Sequence, residues 1–438
     1  MSWWRTAGGL LLSGGVVYLG YGIDRTNFQS LLTAFGVAFL GYGLLVFRLP
    51  DTKSLGYWIG LGLLLRLILV FAFPLLSDDV YRFIWDGRLV AAGYNPFTQL
   101  PAYYVQGGPS VAGLDATLFD RLNSPEYYTI YPPVAQGVFA LAAWLSPGSW
   151  YGAAVVMKVF LLLCELGTGY LLYRLLQTFA LPSVRLLYYW LNPLILVEIT
   201  GNLHFEGAMI CFLLLALYAL TRGKYGGAAG AMGLSVASKL LPLMFLPFLL
   251  GRLWRRSFWV FYGGLAVVLA GLFLPLFSSE FISGFGGSLD LYFRKFEFNA
   301  SLYYLLRAYG YYDVGWNQIA RYGPVLAALA GAVIFILALS DRTTDWRSLP
   351  GHWLAAFTLY LLCATTVHPW YLAVPIVLCV FTPWRFPLVW SFFILLTYIS
   401  YTTVPYQENL WLVAMEYGVV SGYYLYERSA HRTKMHHP

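Results

Sequence analysis

Charged residues are scarce in this chain. Only 11% of its 438 residues are Asp, Glu, Lys or Arg, against about a quarter in an ordinary soluble domain, and 59% are hydrophobic. A soluble surface needs more charge, so the composition excludes a water-soluble multidomain protein. Disorder is excluded too, because it requires few aromatic residues, and here 19% are aromatic. The sequence therefore predicts an integral membrane protein whose main surroundings are the lipid bilayer.

Cysteine is also rare, and common catalytic motifs are missing. The four cysteines lie in apolar runs without zinc spacing, which indicates packing roles. The chain has no His-Glu-x-x-His, no Gly-x-Ser-x-Gly and no phosphate-binding Gly-rich loop. No metal ligands are predicted, although a divalent cation, Mg or Mn, stays open as a cofactor. The net charge of +7 comes from short basic clusters between apolar runs, which are typical of cytoplasmic loops and do not indicate nucleic-acid binding.

The apolar runs predict an all-α, polytopic membrane protein of about 11 to 14 transmembrane helices, since a span needs about 20 apolar residues. We expect one membrane domain, residues 1–438. The positive-inside rule places Arg48, Lys53 and the basic C-terminal tail inside. It leaves two long outer loops, 77–131 and 278–316, and loops of this length are usually functional. The two halves of the chain give conflicting orientations between residues 131 and 185.

The strongest local pattern begins directly after an apolar run. Ser77 is a good N-cap, acids in the first turn suit the helix dipole, and Gly93 predicts the C-terminal end. This pattern predicts an interfacial amphipathic helix that holds two adjacent carboxylates at the membrane surface. Two interpretations stay open. Asp78 and Asp79 cap the helix and pair with Arg82, or one of them is a functional group at the mouth of a membrane cavity.

Further ionisable residues lie at turns or breaks between apolar runs. Each has a structural alternative: His204 and Glu206 can belong to a solvated loop, and Lys239 can reach the interface by snorkelling. Their functional alternative is a cavity shared with Asp79, in which cations bind a phosphate. The candidates are His204, Glu206, Lys239, Arg294, Lys295 and His368.

These segments resemble the GT-C superfamily of membrane glycosyltransferases. They are most similar to its polyprenyl-phosphate-mannose-dependent alpha-mannosyltransferases. The similarity rests on Asp-Val-Tyr at 79–81 and on Gly-Arg-Leu-Val-Ala-Ala-Gly-Tyr-Asn-Pro-Phe at 87–97, after an apolar span. The order of later segments supports it: Tyr131-Pro132-Pro133, Asn202-Leu203-His204-Phe205-Glu206, Lys239 to Pro242, and His368-Pro369-Trp370-Tyr371.

The resemblance implies an inverting glycosyltransferase that moves a sugar, with mannose expected, from a polyprenyl-phosphate donor to a glycan or glycolipid acceptor. It implies Asp79 as the general base, with Asp78 as its substitute. The residues expected to bind the donor phosphate or substrate are Arg82, His204, Glu206, Lys239, Arg294, Lys295 and His368. The resemblance places the protein in a bacterial inner membrane, with the active site facing the periplasm or exterior.

Two other classes of membrane protein remain as alternatives. A secondary transporter would carry intramembrane charges in broken helices, often in repeated halves, and no repeat is visible. A membrane O-acyltransferase would place a lone histidine inside a span, whereas His204 and His368 lie at predicted turns. Sugar transfer from a radiolabelled polyprenyl-phosphate-mannose would discriminate between these classes.

Overall fold

A computed structural model of the protein describes residues 3–47, 51–277, 281, 284, 286–287 and 294–436, with side chains as far as residue 433. Arg48 and the first part of the predicted second outer loop lie outside the described residues. Within them, the regular structure is helical apart from one isolated bridge between Phe298 and Thr366. The all-α prediction is therefore confirmed.

Five described helices are long and apolar enough to cross a membrane: Phe28–Val46, Thr52–Val70, Trp150–Thr178, Arg256–Leu276 and Ile319–Ser340. A bent pair, Pro193–Gly201 and Glu206–Thr221, would count as a sixth. Other apolar runs form shorter helices: Pro133–Leu145, Pro369–Cys379 and Phe386–Thr402. The chain is a polytopic membrane protein, and the larger number of spans inferred from hydropathy stays a prediction.

The described residues form two compact units made of interleaved segments. The first unit comprises Met1–Leu65, Leu176–Val197 and Phe293–Pro438, and the second comprises Arg66–Leu175 and Glu198–Tyr292. Each is described by itself below, and the single membrane domain stays a prediction.

The first unit contains two closely packed N-terminal helices and most of the C-terminal half. Glycines let the N-terminal helices approach, since a Cβ on Gly41 would lie 2.5 Å from the Gly8 carbonyl oxygen. Its α-helices and 3₁₀ helices are Trp3–Tyr21, Phe28–Val46, Thr52–Ser54, the start of Leu55–Val70, Ser183–Leu186, Leu187–Trp190, Pro193–Ile195, Leu302–Val314, Ile319–Ser340, Trp346–Ser348, Leu349–Cys363, Pro369–Leu372, Ala373–Cys379, Phe386–Phe393, Ile394–Thr402 and Leu410–His436.

The second unit carries the candidate site. Its core is aromatic, with the rings of Phe83 and Phe139 stacked at 4.5 Å and Phe205 packed edge-on against both. The helices are Asp79–Ala91, Pro101–Val105, Ala116–Phe119, Pro133–Leu145, most of Trp150–Thr178, Glu206–Thr221, Tyr225–Ser238, Leu241–Leu249, Arg256–Phe273 and Leu274–Leu276. A π-helix, Leu196–Gly201, precedes Glu206–Thr221.

The helix predicted after residue 77 is present as Asp79–Ala91. Its end is as expected: Gly93 has φ +83°, its N–H bonds to the Val90 carbonyl, and the Tyr94 N–H bonds to the Leu89 carbonyl. This pair of backbone hydrogen bonds forms a Schellman motif, which requires a residue in the left-handed conformation and so favours glycine. The local sequence therefore fixes where this helix ends.

One detail of that prediction is wrong. The N-cap position is Asp78, one residue later than predicted, although the Ser77 hydroxyl still accepts the Asp79 N–H at 3.3 Å. Arg82 and Asp86 on the polar side of the helix are buried, because other residues of loop 77–131 cover that side. The position of the helix at the membrane interface stays a prediction.

Candidate functional site

Asp79 is a half-buried carboxylate at the first position of its helix. Its Oδ1 accepts a hydrogen bond from Asn123 Nδ2 at 2.7 Å, and Asn123 is exposed. Asp78 occupies the N-cap position without a side-chain cap hydrogen bond to the helix. The carboxylate of Asp79 is oriented by a side chain of loop 77–131 while part of it remains accessible.

A buried network holds loop 77–131 against this helix. Arg82 Nε donates to Asp86 Oδ1 at 2.8 Å, and its guanidinium also donates to the carbonyls of Ser124 and Tyr127. Asp86 in turn accepts from Gln136 Nε2 at 3.2 Å. Because Ser124 follows Asn123 directly, this network also positions the amide that binds Asp79.

Arg88 fixes a second part of the loop. It donates to the Gly113 carbonyl at 2.6 Å and to the Pro147 carbonyl. Burial lowers the pKa of Arg88, and the nearby Asp115 carboxylate opposes this effect. Both arginines of the helix, Arg82 and Arg88, thus donate to backbone oxygens of loop 77–131.

The turn before Glu206–Thr221 places two ionisable side chains inside the protein. His204 is 2% exposed and Glu206 is 0% exposed, so the solvated-loop interpretation of these residues is wrong. His204 Nε2 lies 3.2 Å from Glu198 Oε2. Leu203 has φ +66°, an unusual value for a bulky residue, and this backbone conformation lets the chain reverse between the two helices.

Lys239 pairs with Glu206. The Lys239 Nζ to Glu206 Oε1 distance is 2.5 Å, and the lysine side chain remains 19% exposed. No partner for this lysine is evident near it in the sequence, and in the structure its partner, Glu206, lies 33 residues earlier in the chain. Lys239 lies in extended conformation at the break between Tyr225–Ser238 and Leu241–Leu249, which agrees with the predicted interruption of this apolar run.

The turn is connected to the start of the Asp79 helix. Asn202 Oδ1 accepts the N–H groups of Leu75 at 3.2 Å and Leu76 at 3.0 Å. The charges of Glu206, Asp79 and Lys239 all act on His204. The second unit therefore brings four predicted site residues close enough for their charges to interact. They are Asp79, His204, Glu206 and Lys239.

Three other predicted residues belong to the first unit: Arg294, Lys295 and His368. Arg294 and Lys295 are exposed. His368 is partly buried, with its ring stacked 4.4 Å from Trp370 and 4.9 Å from Phe298. Their predicted role in binding the donor phosphate stays a prediction.

Several residues that shape this site were not identified from the sequence. Asn123 gives no local signal, because it lies 44 residues from Asp79 in an irregular loop. Glu198 could have been found, since an acid inside an apolar run is a functional candidate in membranes. The same signal applies to the buried Arg66–Glu165 pair at 2.8 Å and to Lys158, which donates to the Leu69 carbonyl at 3.0 Å.

No three His, Cys, Asp or Glu side chains come together as metal ligands within the part of the chain that the structure describes. The Mg or Mn considered from the sequence stays a prediction.

Residues 5–255 match the family described as alpha-(1->6)-mannopyranosyltransferase, N-terminal domain. This match covers more than half of the chain, and the chain belongs to that family. It includes Asp79, His204, Glu206 and Lys239. The resemblance seen in the sequence is thereby confirmed.

Two curated proteins of Corynebacterium glutamicum are similar to this chain. One is alpha-(1->6)-mannopyranosyltransferase A, 24% identical over 181 residues, which make up 41% of this chain and 35% of that protein. The other is alpha-(1->6)-mannopyranosyltransferase B, 24% identical over 151 residues, or 34% of this chain and 24% of that protein. The matched regions thus span about a third or less of these relatives. No solved structure matches the chain.

Proposed function

We propose that this protein is an inverting mannosyltransferase. Its donor is a polyprenyl-phosphate mannose, and its acceptor is a glycan or glycolipid at the outer face of a bacterial inner membrane. The observation that carries the proposal is the accessible Asp79 carboxylate, oriented by Asn123 beside the buried His204–Glu206–Lys239 cluster. This arrangement lies inside the region that matches the mannosyltransferase family.

The chemistry requires one base and a good leaving group. Asp79 takes the proton of the acceptor hydroxyl as its oxygen forms a bond to the anomeric carbon. The bond from that carbon to the phosphate oxygen breaks, and polyprenyl phosphate leaves with the electron pair. A single displacement inverts the anomeric centre, so an alpha linkage requires a beta-linked donor. Because phosphate leaves readily, the second carboxylic acid of glycosidases is not needed.

The leaving phosphate needs positive charge nearby. Lys239 is the candidate in the second unit, since it is partly exposed and lies in the same electrostatic neighbourhood as Asp79. Arg82 is committed to Asp86 and to loop carbonyls, so we assign it a positioning role. Arg294, Lys295 and His368 remain candidates for contacts with the donor.

Replacing Asp79 tests the proposal. Asp79→Asn keeps the side-chain shape and removes the base, and loss of a general base costs about 10²–10⁴ in rate. We expect normal yield in detergent and a loss of that size in mannose transfer from a radiolabelled donor. A secondary transporter would instead move its substrate without forming a new glycosidic bond.

Two further aspartates serve as controls. Asp115→Asn, in the same loop, should keep full turnover, because Asp115 caps the short helix Ala116–Phe119 and Asn still caps. Asp78→Asn should retain most activity. If Asp79→Asn keeps more than about a tenth of wild-type turnover while Asp78→Asn does not, Asp78 is the base. If both keep it, the mechanism is wrong.

A further inference from the structure

A second cluster of acidic groups lies in the first unit, apart from the residues used above. Glu416, on the helix Leu410–His436, is 0% exposed, and Glu408 lies in the loop before it. Together with Asn299 they line a cavity of about 10 Å³, which is room for about one water-sized sphere. Other lining residues include Thr397, Ser400 and Asn409.

Two oxygen atoms of this cluster have no hydrogen-bond donor among the described residues. One Glu416 oxygen, Oε1, accepts from Trp390 Nε1 at 2.6 Å and from Asn299 Nδ2 at 3.2 Å. The other, Oε2, accepts none, and neither does Asn299 Oδ1. Both residues are fully buried, and buried acceptors without partners are rare and costly. The cavity is thus lined by oxygen acceptors that a proton donor or a cation would satisfy.

Among the described residues, the hydrogen-bond donors to these two carboxyl groups are all neutral. Glu408 accepts only neutral donors, the Asn299 N–H and the Tyr304 hydroxyl. The nearby cation Arg307 is bound to a third carboxylate, Glu297. Within the described residues, no lysine or arginine forms an ion pair with Glu408 or Glu416. Buried charges are normally paired or coordinate a metal.

We infer that Glu408, Glu416 and Asn299 form a binding site for a calcium ion. A divalent cation balances two carboxylates, and carboxylate and amide oxygens are the ligands that hard cations prefer. Calcium accepts an irregular set of protein oxygens, whereas magnesium demands a near-ideal octahedron and usually keeps several of its waters. The bound ion links the segment that follows Arg294 and Lys295 to the start of the last helix. None of these three residues is among the catalytic groups proposed above.

Binding of radioactive calcium to the purified full-length protein in detergent tests the inference. After chelator treatment, we expect about one calcium per chain, retained in excess Mg²⁺ and Na⁺, and a higher unfolding temperature with Ca²⁺ than with chelator. Glu416→Gln and Glu408→Gln should each weaken calcium binding at least tenfold. Glu427→Gln is the matched control on the same helix. Its carboxylate accepts the N–H groups of Arg385 and Phe386 instead, so its calcium binding should equal that of the wild type.

Several results would overturn the calcium site. One is the absence of calcium binding by the wild-type protein, and another is displacement of the calcium by Mg²⁺ or Na⁺ at equal concentration. Equal binding by Glu416→Gln and the wild type would also refute it, as would an unfolding temperature that responds to pH but not to Ca²⁺. The wild-type measurement is decisive even if a variant fails to fold.

Discussion

At the scale of single residues, the proposed active site depends on a buried ion pair. Glu206 is fully buried, and it pairs with Lys239. Removing one member of a buried pair leaves an uncompensated charge, which costs about 3–5 kcal/mol. A single substitution of Lys239 therefore cannot distinguish loss of stability from loss of phosphate binding.

A double substitution separates these two effects. Lys239→Met alone should lower stability, whereas Glu206→Gln with Lys239→Met removes both charges and should restore most of it. If Lys239 contacts the donor phosphate, the double variant still has a KM for the donor raised about ten- to hundredfold, because a hydrogen bond to a charged group is worth about 1.5–3 kcal/mol. Thermal unfolding and donor-dependent kinetics measure the two effects.

Arg66→Met provides the comparison. It breaks another buried pair, Arg66–Glu165, and should reduce stability without changing the KM for the donor. A double variant with a wild-type KM would place the phosphate site elsewhere. The variant Arg294→Ala/Lys295→Ala then becomes the next one to measure.

At the scale of secondary-structure elements, the position of Asp79 depends on close packing of its helix against Pro133–Leu145. A Cβ at Gly87 would lie 2.3 Å from the Phe139 carbonyl oxygen, so only glycine allows this approach. The same contact stacks the rings of Phe83 and Phe139. Asp79 is thus held by an interface between two helices as well as by its own hydrogen bond.

Gly87→Ala should separate the two helices. We expect a loss of about 1–3 kcal/mol in stability, as for other overpacked cores, together with reduced turnover. Gly137→Ala on the partner helix is the control, because nothing lies within 4 Å of its Cβ and alanine favours the helix. It should unfold at the same or a higher temperature. Equal behaviour of the two variants in thermal unfolding would show that the close contact is not important.

At the scale of the whole molecule, the orientation in the membrane decides which substrates reach Asp79. The positive-inside rule places the outer loop 77–131 on the periplasmic or exterior face, on the evidence of basic residues such as the exposed Lys53. In a variant without native cysteines, Ser110→Cys should react with an impermeant thiol reagent in intact spheroplasts. Ser110 is exposed, so access by the reagent is not limiting.

Thr433→Cys in the C-terminal tail gives the opposite control. It should react only after lysis, because the basic tail is predicted to lie inside. If Ser110→Cys is protected until lysis, the loop faces the cytoplasm, and the proposed outer active site is wrong.

The sequence by itself determined the features that depend on neighbouring residues. Scarce charge and long apolar runs gave the all-α membrane class. The order of Ser77, the two acids and Gly93 predicted a helix with its correct end, because caps are formed by residues within one or two turns. The interruption of the apolar run at Lys239 was likewise predicted from neighbouring residues.

The tertiary structure alone decided which side chains meet. Asn123 reaches Asp79 across 44 residues, Asn202 binds Leu75 and Leu76 across more than 120, and Asn299 reaches Glu416 across 117. Such pairs form only when packed helices bring distant segments together, so no local pattern encodes them. Burial is decided in the same way: His204 and Glu206 could be solvated loop residues by sequence, and the packing of the turn removes them from water.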